Sequence, residues 1–162
     1  MPQSNSSDNI TNIVIAGLGG QGVLKASDIL ASAVFRAGFD VKKSEIHGMS
    51  QRGGSVSSDV RFGKKVFSPM VPPGQADYLV VLSESQVQVA RPVLKAGGVL
   101  IEPTMIDEAR LTNKKSLNVA LLGALARRLD LPDNLWHAAI QAALPGKLHA
   151  ANMQAFAVGQ KS

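Results

Sequence analysis

From Thr11 to Ala16 the chain reads Thr-Asn-Ile-Val-Ile-Ala, a short β-branched run ending at glycines, and this predicts a buried first strand. Past Gln21 the spacing becomes helical. Val23, Ala26, Ser27, Leu30, Ala33, Val34 and Ala37 recur on one face until Gly38 offers a stop. Strand, glycine turn and helix thus follow in order. Phe39 to Ser44 predicts a second strand, and after the polar loop His47 to Gly54 a third begins with period-two alternation. Val56, Ser58, Val60 and Phe62 share one of its faces, and Ser55, Ser57, Asp59 and Arg61 the other. Gly63-Lys64 reads as a turn into Lys65-Val66-Phe67, an antiparallel hairpin added to the sheet, before Pro69, Pro72 and Pro73 force a loop.

Asp77 to Leu82 predicts another central strand, Glu84 to Lys95 a helix closed by Gly97-Gly98, and Val99 to Ile101 a strand that completes a second βαβ unit. Beyond Pro103 the pattern is helical over Ser116–Leu129, Asp133–Leu144 and Lys147–Val158, with Asp133 as N-cap after Pro132. The expected class is α/β: a Rossmann-like, mostly parallel sheet with an antiparallel hairpin and helices on both faces. Residues 1–11 form a polar, disordered lead-in, and residues 12–162 one domain, the size at which one core forms and a second does not fit.

Composition sharpens this picture. Only 4% of residues are aromatic, so packing rests on Ala, Val, Leu and Ile, as where helices cover a parallel sheet. Cysteine is absent, which excludes disulfides, cysteine-ligated iron-sulfur clusters and thiolate nucleophiles. The start carries neither a signal-peptide h-region nor a membrane span, and the expected location is the cytoplasm. Net charge is +5. Between Asp40 and Lys65, Lys42, Lys43, Arg52, Arg61, Lys64 and Lys65 stand against Asp40, Glu45 and Asp59, a local excess of three positive charges near the glycine-rich segments. That favours a small anion over a nucleic acid or a membrane, and no basic run with interleaved aromatics is present.

Gly17-Leu18-Gly19-Gly20-Gln21-Gly22 fits G-x-G-x-x-G in its required context, directly after a strand and opening a helix. The first glycine would permit a tight turn, the second the approach of backbone amides to a phosphate, and the third close helix–strand packing. The helix N-terminus adds unpaired N–H groups with partial positive charge. The competing reading is a tight crossover of small residues with no ligand. A NAD site would add an acid near the end of the second strand, a place Glu45 fills, whereas Lys42 and Lys43 point to a further phosphate, as in NADP or coenzyme A. A solvated strand end would equally account for the two lysines.

The glycine turn is followed by Glu45-Ile46-His47-Gly48-Met49-Ser50-Gln51-Arg52-Gly53-Gly54-Ser55-Val56. With these two segments the chain resembles the gamma-type subunits of 2-oxoacid:acceptor oxidoreductases, nearest to the small subunit of the indolepyruvate enzymes. The likeness runs from Asn12 to about Gly159, through Phe67-Ser68-Pro69, Ala76-Asp77, Lys95-Ala96-Gly97-Gly98, Asn118-Val119 and Asn152-Met153-Gln154-Ala155-Phe156. Two departures stand out: Pro103 to Ser116 is short for the family, and Glu102-Pro103 stands where an asparagine is common.

The resemblance implies oxidative decarboxylation of a 2-oxoacid, possible examples being indolepyruvate and phenylglyoxylate, to an acyl-CoA with transfer of electrons to ferredoxin or another acceptor. It implies that thiamine diphosphate, Mg and iron-sulfur clusters reside in larger partner subunits, in keeping with a chain that lacks both cysteines and a Gly-Asp-Gly motif. On this chain it implies a site for coenzyme A formed by Gly17, Gly19, Gly20, Gln21, Gly22, Lys42, Lys43, His47, Ser50, Gln51 and Arg52, with no catalytic residue and no metal ligand.

Read by themselves, His47 and Arg52 could meet coenzyme A, a substrate carboxylate or a neighbouring subunit, Arg52 with two hydrogen bonds, or merely bond backbone in their loop. Ser50, Ser55 and Ser57 have no His and Asp partners at a recognisable spacing, which argues against a hydrolase. His47, His137 and His149 are too scattered for a metal site, and His137 beside Trp136 reads as structural. Met49 and Met70 fit either an interface or loop packing. Two alternatives stay open: an independent NAD(P)-dependent oxidoreductase, and an assembly module in which the glycines only allow close packing.

Overall fold

A computed structural model describes residues 9–47 and 54–162, with His47 by its backbone alone. Ser50, Gln51 and Arg52, together with Met49 and residues 1–8 of the lead-in, lie outside the described residues. Five strands form one sheet: β1 (Thr11–Leu18), β2 (Asp40–His47), β3 (Ser55–Gly63), β4 (Ala76–Val81) and β5 (Leu94–Ile101), in the order β2-β3-β1-β4-β5. β1, β4 and β5 pair in parallel, while β3 runs antiparallel to both β1 and β2. Four strands therefore share one direction and β3 opposes them. Thr11, assigned to the lead-in by the domain boundary, already pairs with Phe62.

The antiparallel pair exists, but not where Gly63-Lys64 suggested. β3 pairs with β2 across residues 48–54 and with β1 on its other side, so both its edges are filled and Lys65–Phe67 has no strand to join. Val66 is instead buried as loop, its N–H donating to Asp40 Oδ2 at 2.7 Å, and that bond holds the Asp40 carboxyl below its usual value. Phe67 is exposed.

α1 (Val23–Arg36) follows the glycine turn and seats Ala26, Ile29, Leu30 and Ala33 on the sheet. α3 (Leu117–Ala126) is buried on nearly every side, as expected of a helix with no polar face. α4 (Asp133–Ala143) covers α1, and α5 (His149–Gln160) covers α3. In that second contact Gly159 lies on the Ala120 carbonyl and Gly123 on that of Phe156, places where a Cβ would strike backbone. Trp136 and Phe156 fill the seam between α4 and α5, ring centroids 5.6 Å apart, and His137 packs edge-on to Phe156. Asp133 is not the N-cap of α4: Pro132 holds that position, and Asp133 accepts from Gln160 Nε2 at 2.9 Å.

The helix expected over Glu84–Lys95 is reduced to one α-turn, α2 (Val87–Ala90), between two 3₁₀ turns, Glu84–Gln86 and Arg91–Val93. Pro92 lacks the N–H that would carry the ladder onward. Gly97-Gly98 then does not close a helix but lies inside β5, which advances five residues, Leu94 to Val99, while β4 advances two, Ala76 to Tyr78. Gly97 takes φ +82° in this bulge.

Candidate functional site

The connection from β1 leaves the sheet toward β2, and that from β4 leaves toward β5, so the carboxyl ends of β1 and β4 part around a crevice. In open α/β sheets this is where ligands bind. The glycine turn forms one wall. Gly17 is still in β1, where a Cβ would stand 2.9 Å from Gln21 Oε1, 3.0 Å from Val23 Cγ2 and 3.1 Å from Leu82 Cβ, so the close contact between strand and helix expected of the third glycine falls to the first. The turn itself is made by Gly20 at φ +88° and Gly22 at φ +86°, conformations that favour glycine. A Cβ on Gly20 would meet nothing within 4 Å, which marks its outer side as open, whereas one on Gly22 would press on Asn118 Nδ2 at 2.5 Å.

The turn is braced from three sides. Leu18 N–H donates to Gln21 Oε1 at 2.7 Å, Gly19 N–H to the Gly54 carbonyl at 2.9 Å, and Asn118 Nδ2 to the Gly22 carbonyl at 3.2 Å. Behind it α1 begins with no side-chain cap and no acid in its first turn, leaving its first N–H groups to the positive end of the helix dipole. Opposite stand Lys114 and Lys115, on the 3₁₀ turn Lys114–Ser116 that leads into α3. With Gly20, Gln21, Leu82 and Asn118 they line a hollow of about 370 Å³. Beyond Gln21 the crevice continues into an acidic lobe with Glu84, Asp107 and Glu108.

The two lysines expected beside the turn are elsewhere. In the register Lys42 and Lys43 sit level with Asn12 and Ile13 through Arg61 and Val60. Gly17 is four residues further along, so Lys43 stops roughly 13 Å short of the turn, two strands away. Lys43 is moreover engaged: its ammonium binds Asp28 Oδ1 at 2.6 Å and Glu45 Oε1 at 2.7 Å. Partial burial pushes Lys43 down, but those two hydrogen bonds outweigh it and hold the group above the usual lysine value. Lys42 lies 3.9 Å from Asp40, and Arg61 donates to Asn12 Oδ1 and the Ser68 carbonyl. Three of the six cations counted along this stretch, Lys42, Lys43 and Arg61, are therefore engaged by their own neighbours.

β3 also alters the dinucleotide reading. Because it is inserted between β1 and β2, Glu45 is one strand further from the turn than an acid at the end of an adjacent second strand would be, and its carboxylate is paired with Lys43. On β2 only Ile46 and His47 reach the level of Ala16 and Gly17. The structure thus brings together Gly17, Gly19, Gly20, Gln21 and Gly22, with the His47 backbone at the same height. It adds Lys114, Lys115 and Asn118, which glycine spacing could not reveal; the signal available was the Lys-Lys pair just ahead of an apolar helix. The third histidine, His149, bonds the carbonyls of Gln141 and Leu144.

No helix among the described residues is long and apolar enough to cross a membrane. The family model described as pyruvate ferredoxin/flavodoxin oxidoreductase matches residues 12–105. The indolepyruvate oxidoreductase subunit IorB of Thermococcus kodakarensis is 34% identical, the match covering 93% of this chain and 95% of that subunit. In shape the chain is similar to the gamma subunit of a keto/oxoacid ferredoxin oxidoreductase from Geobacter sulfurreducens, with a TM-score of 0.79 at 22% identity over 94% of this chain and 95% of that one. It is similar too to 2-oxoglutarate:ferredoxin oxidoreductase from Magnetococcus marinus, solved with 2-oxoglutarate, coenzyme A and succinyl-CoA bound. There the TM-score is 0.76 at 18% identity, over 95% of this chain but 31% of that one. The glycine turn and the strands around it fall within the matched span, and the chain belongs to the pyruvate ferredoxin/flavodoxin oxidoreductase family.

Proposed function

We propose that this chain is the small, gamma-type subunit of a 2-oxoacid:acceptor oxidoreductase, and that its crevice holds a phosphate-bearing part of coenzyme A while larger subunits carry out the chemistry. The observation that carries the reading is the crevice itself: a glycine turn with an open Gly20, an uncapped helix start and two facing lysines, at the switch point of the sheet. Coenzyme A would bring phosphates to the amides after Gly20 and the ammonium groups of Lys114 and Lys115. Gln21, Gly54 and Asn118 hold the turn rigid, so little ordering is left to binding. His47, at the end of β2, and Ser50, Gln51 and Arg52, outside the described residues, would complete the site; Lys42 and Lys43 are no part of it.

Thiamine diphosphate, Mg and iron-sulfur clusters fit the partner subunits, because this chain has no cysteine to ligate a cluster. An aromatic 2-oxoacid such as indolepyruvate, with ferredoxin as acceptor, accords with the relative IorB. An independent NAD(P) enzyme is disfavoured by the displaced, paired Glu45. The test is native purification through a tag on this chain, followed by intact-complex mass spectrometry with release of cofactors. A larger subunit bearing thiamine diphosphate and iron is expected; a lone chain would contradict the reading.

A further inference from the structure

Among the described residues, the side of the sheet away from α1 carries only the short α2 and the proline loop after β3 beside the exposed part of β3 and β1. Ile46, Met70 and Val89, exposed by 45%, 54% and 64%, stand around one groove of about 360 Å³, between the proline loop after β3 and α2. Its floor is formed by Val14, Ala16 and Asp59. Asp59 is 6% exposed, and its Oδ2 accepts the Val71 N–H at 2.9 Å. Among the described residues no donor meets the other carboxylate oxygen. The nearby cation, Arg61, is turned to Asn12 and Ser68, and burial pushes the Asp59 carboxyl up.

Such a groove has a specific complement. Its walls reward an apolar side chain, and a carboxylate withdrawn from water at its floor rewards a cation or an N–H donor whose stem is itself apolar, a description that an arginine meets. The groove also adjoins the crevice, since its wall begins at Ser55, next to the Gly54 carbonyl that braces Gly19. We infer that the groove seats a segment of the larger subunit, which places an apolar side chain between Met70 and Val89 and an arginine or lysine on Asp59. The inference rests on the reading of this chain as a subunit. The Magnetococcus structure, in which a like fold is 31% of a longer chain, shows that such a module occurs joined to more protein.

The test uses the assembled complex recovered through a tag on this chain. Ile46→Glu with Val89→Glu should lower recovery of the larger subunit at least tenfold and Asp59→Asn several-fold, with the melting curve of the isolated Ile46/Val89 variant unchanged. Phe35→Glu, at a site 68% exposed on α1, should leave recovery at the wild-type level. A photoreactive benzoylphenylalanine at Val89 should crosslink to a peptide of the larger subunit that contains Arg or Lys. Wild-type recovery by the double variant, or crosslinks to a second copy of this chain, would overturn the docking site. If wild-type chain recovered no larger subunit, the subunit reading itself would fall.

Discussion

The two faces of the sheet are made by alternate residues of the same strands, yet they are finished differently. Toward α1 and α3, Ile13, Ile15, Val60, Val80 and Ile101 are fully buried, and a second helix layer of α4 and α5 closes over them. On the other face Val14, Leu79 and Val81 pack under α2 and the loop after β3, with Ile46 and Val89 left exposed and Asp59 at the bottom of a groove. The chain covers one face for itself. What the contrast teaches is that a face can be incomplete by construction: Pro92 cuts the helix after β4 to a single turn.

The first way to break this contrast is to damage the thick side. Trp136→Ala removes the largest fully buried side chain and should cost about 3–5 kcal/mol in denaturant unfolding. Gly159→Ala drives a Cβ into the Ala120 carbonyl, and the resulting separation of α5 from α3 should cost up to about 3 kcal/mol.

Smaller changes sharpen the thin side. Burial raises the Asp59 pKa in the folded state, so its contribution to stability is fully present below the unfolded value and is lost as pH rises through the folded one. Asp59→Asn keeps an acceptor for the Val71 N–H and removes that loss. Its advantage over wild type in thermal melts of the isolated chain should therefore grow from acid toward neutral pH; an advantage that shrinks with pH would contradict the burial. Ile46→Ser should lower the unfolding free energy of the isolated chain by no more than about 1 kcal/mol, since nearly half of the residue is already exposed.

Much of the thick side was legible in the sequence. The strand, glycine turn and helix from Thr11 to Ala37 carry both periodicities in order, and the three C-terminal helices differ from expectation only at their ends. The thin side was less so. Alternation showed that β3 has two faces but not that both its edges are taken, which left Lys65–Phe67 with a false role. A run from Glu84 to Lys95 looks helical until the effect of Pro92 is weighed. The site divided along the same line: its glycines announce themselves by spacing, while Lys42 and Lys43 seemed close because they are near in sequence, and Lys114 and Lys115 reach the turn only through the packing of α3 on the sheet.

The crevice as a holder of coenzyme A is tested most directly by steady-state kinetics of the assembled complex with varied coenzyme A. Lys114→Ala with Lys115→Ala should raise the KM for coenzyme A about tenfold, a loss of about 1.4 kcal/mol, with kcat unchanged and Lys42→Ala with Lys43→Ala inert. An unchanged KM in the first pair, or a raised one in the second, would contradict it.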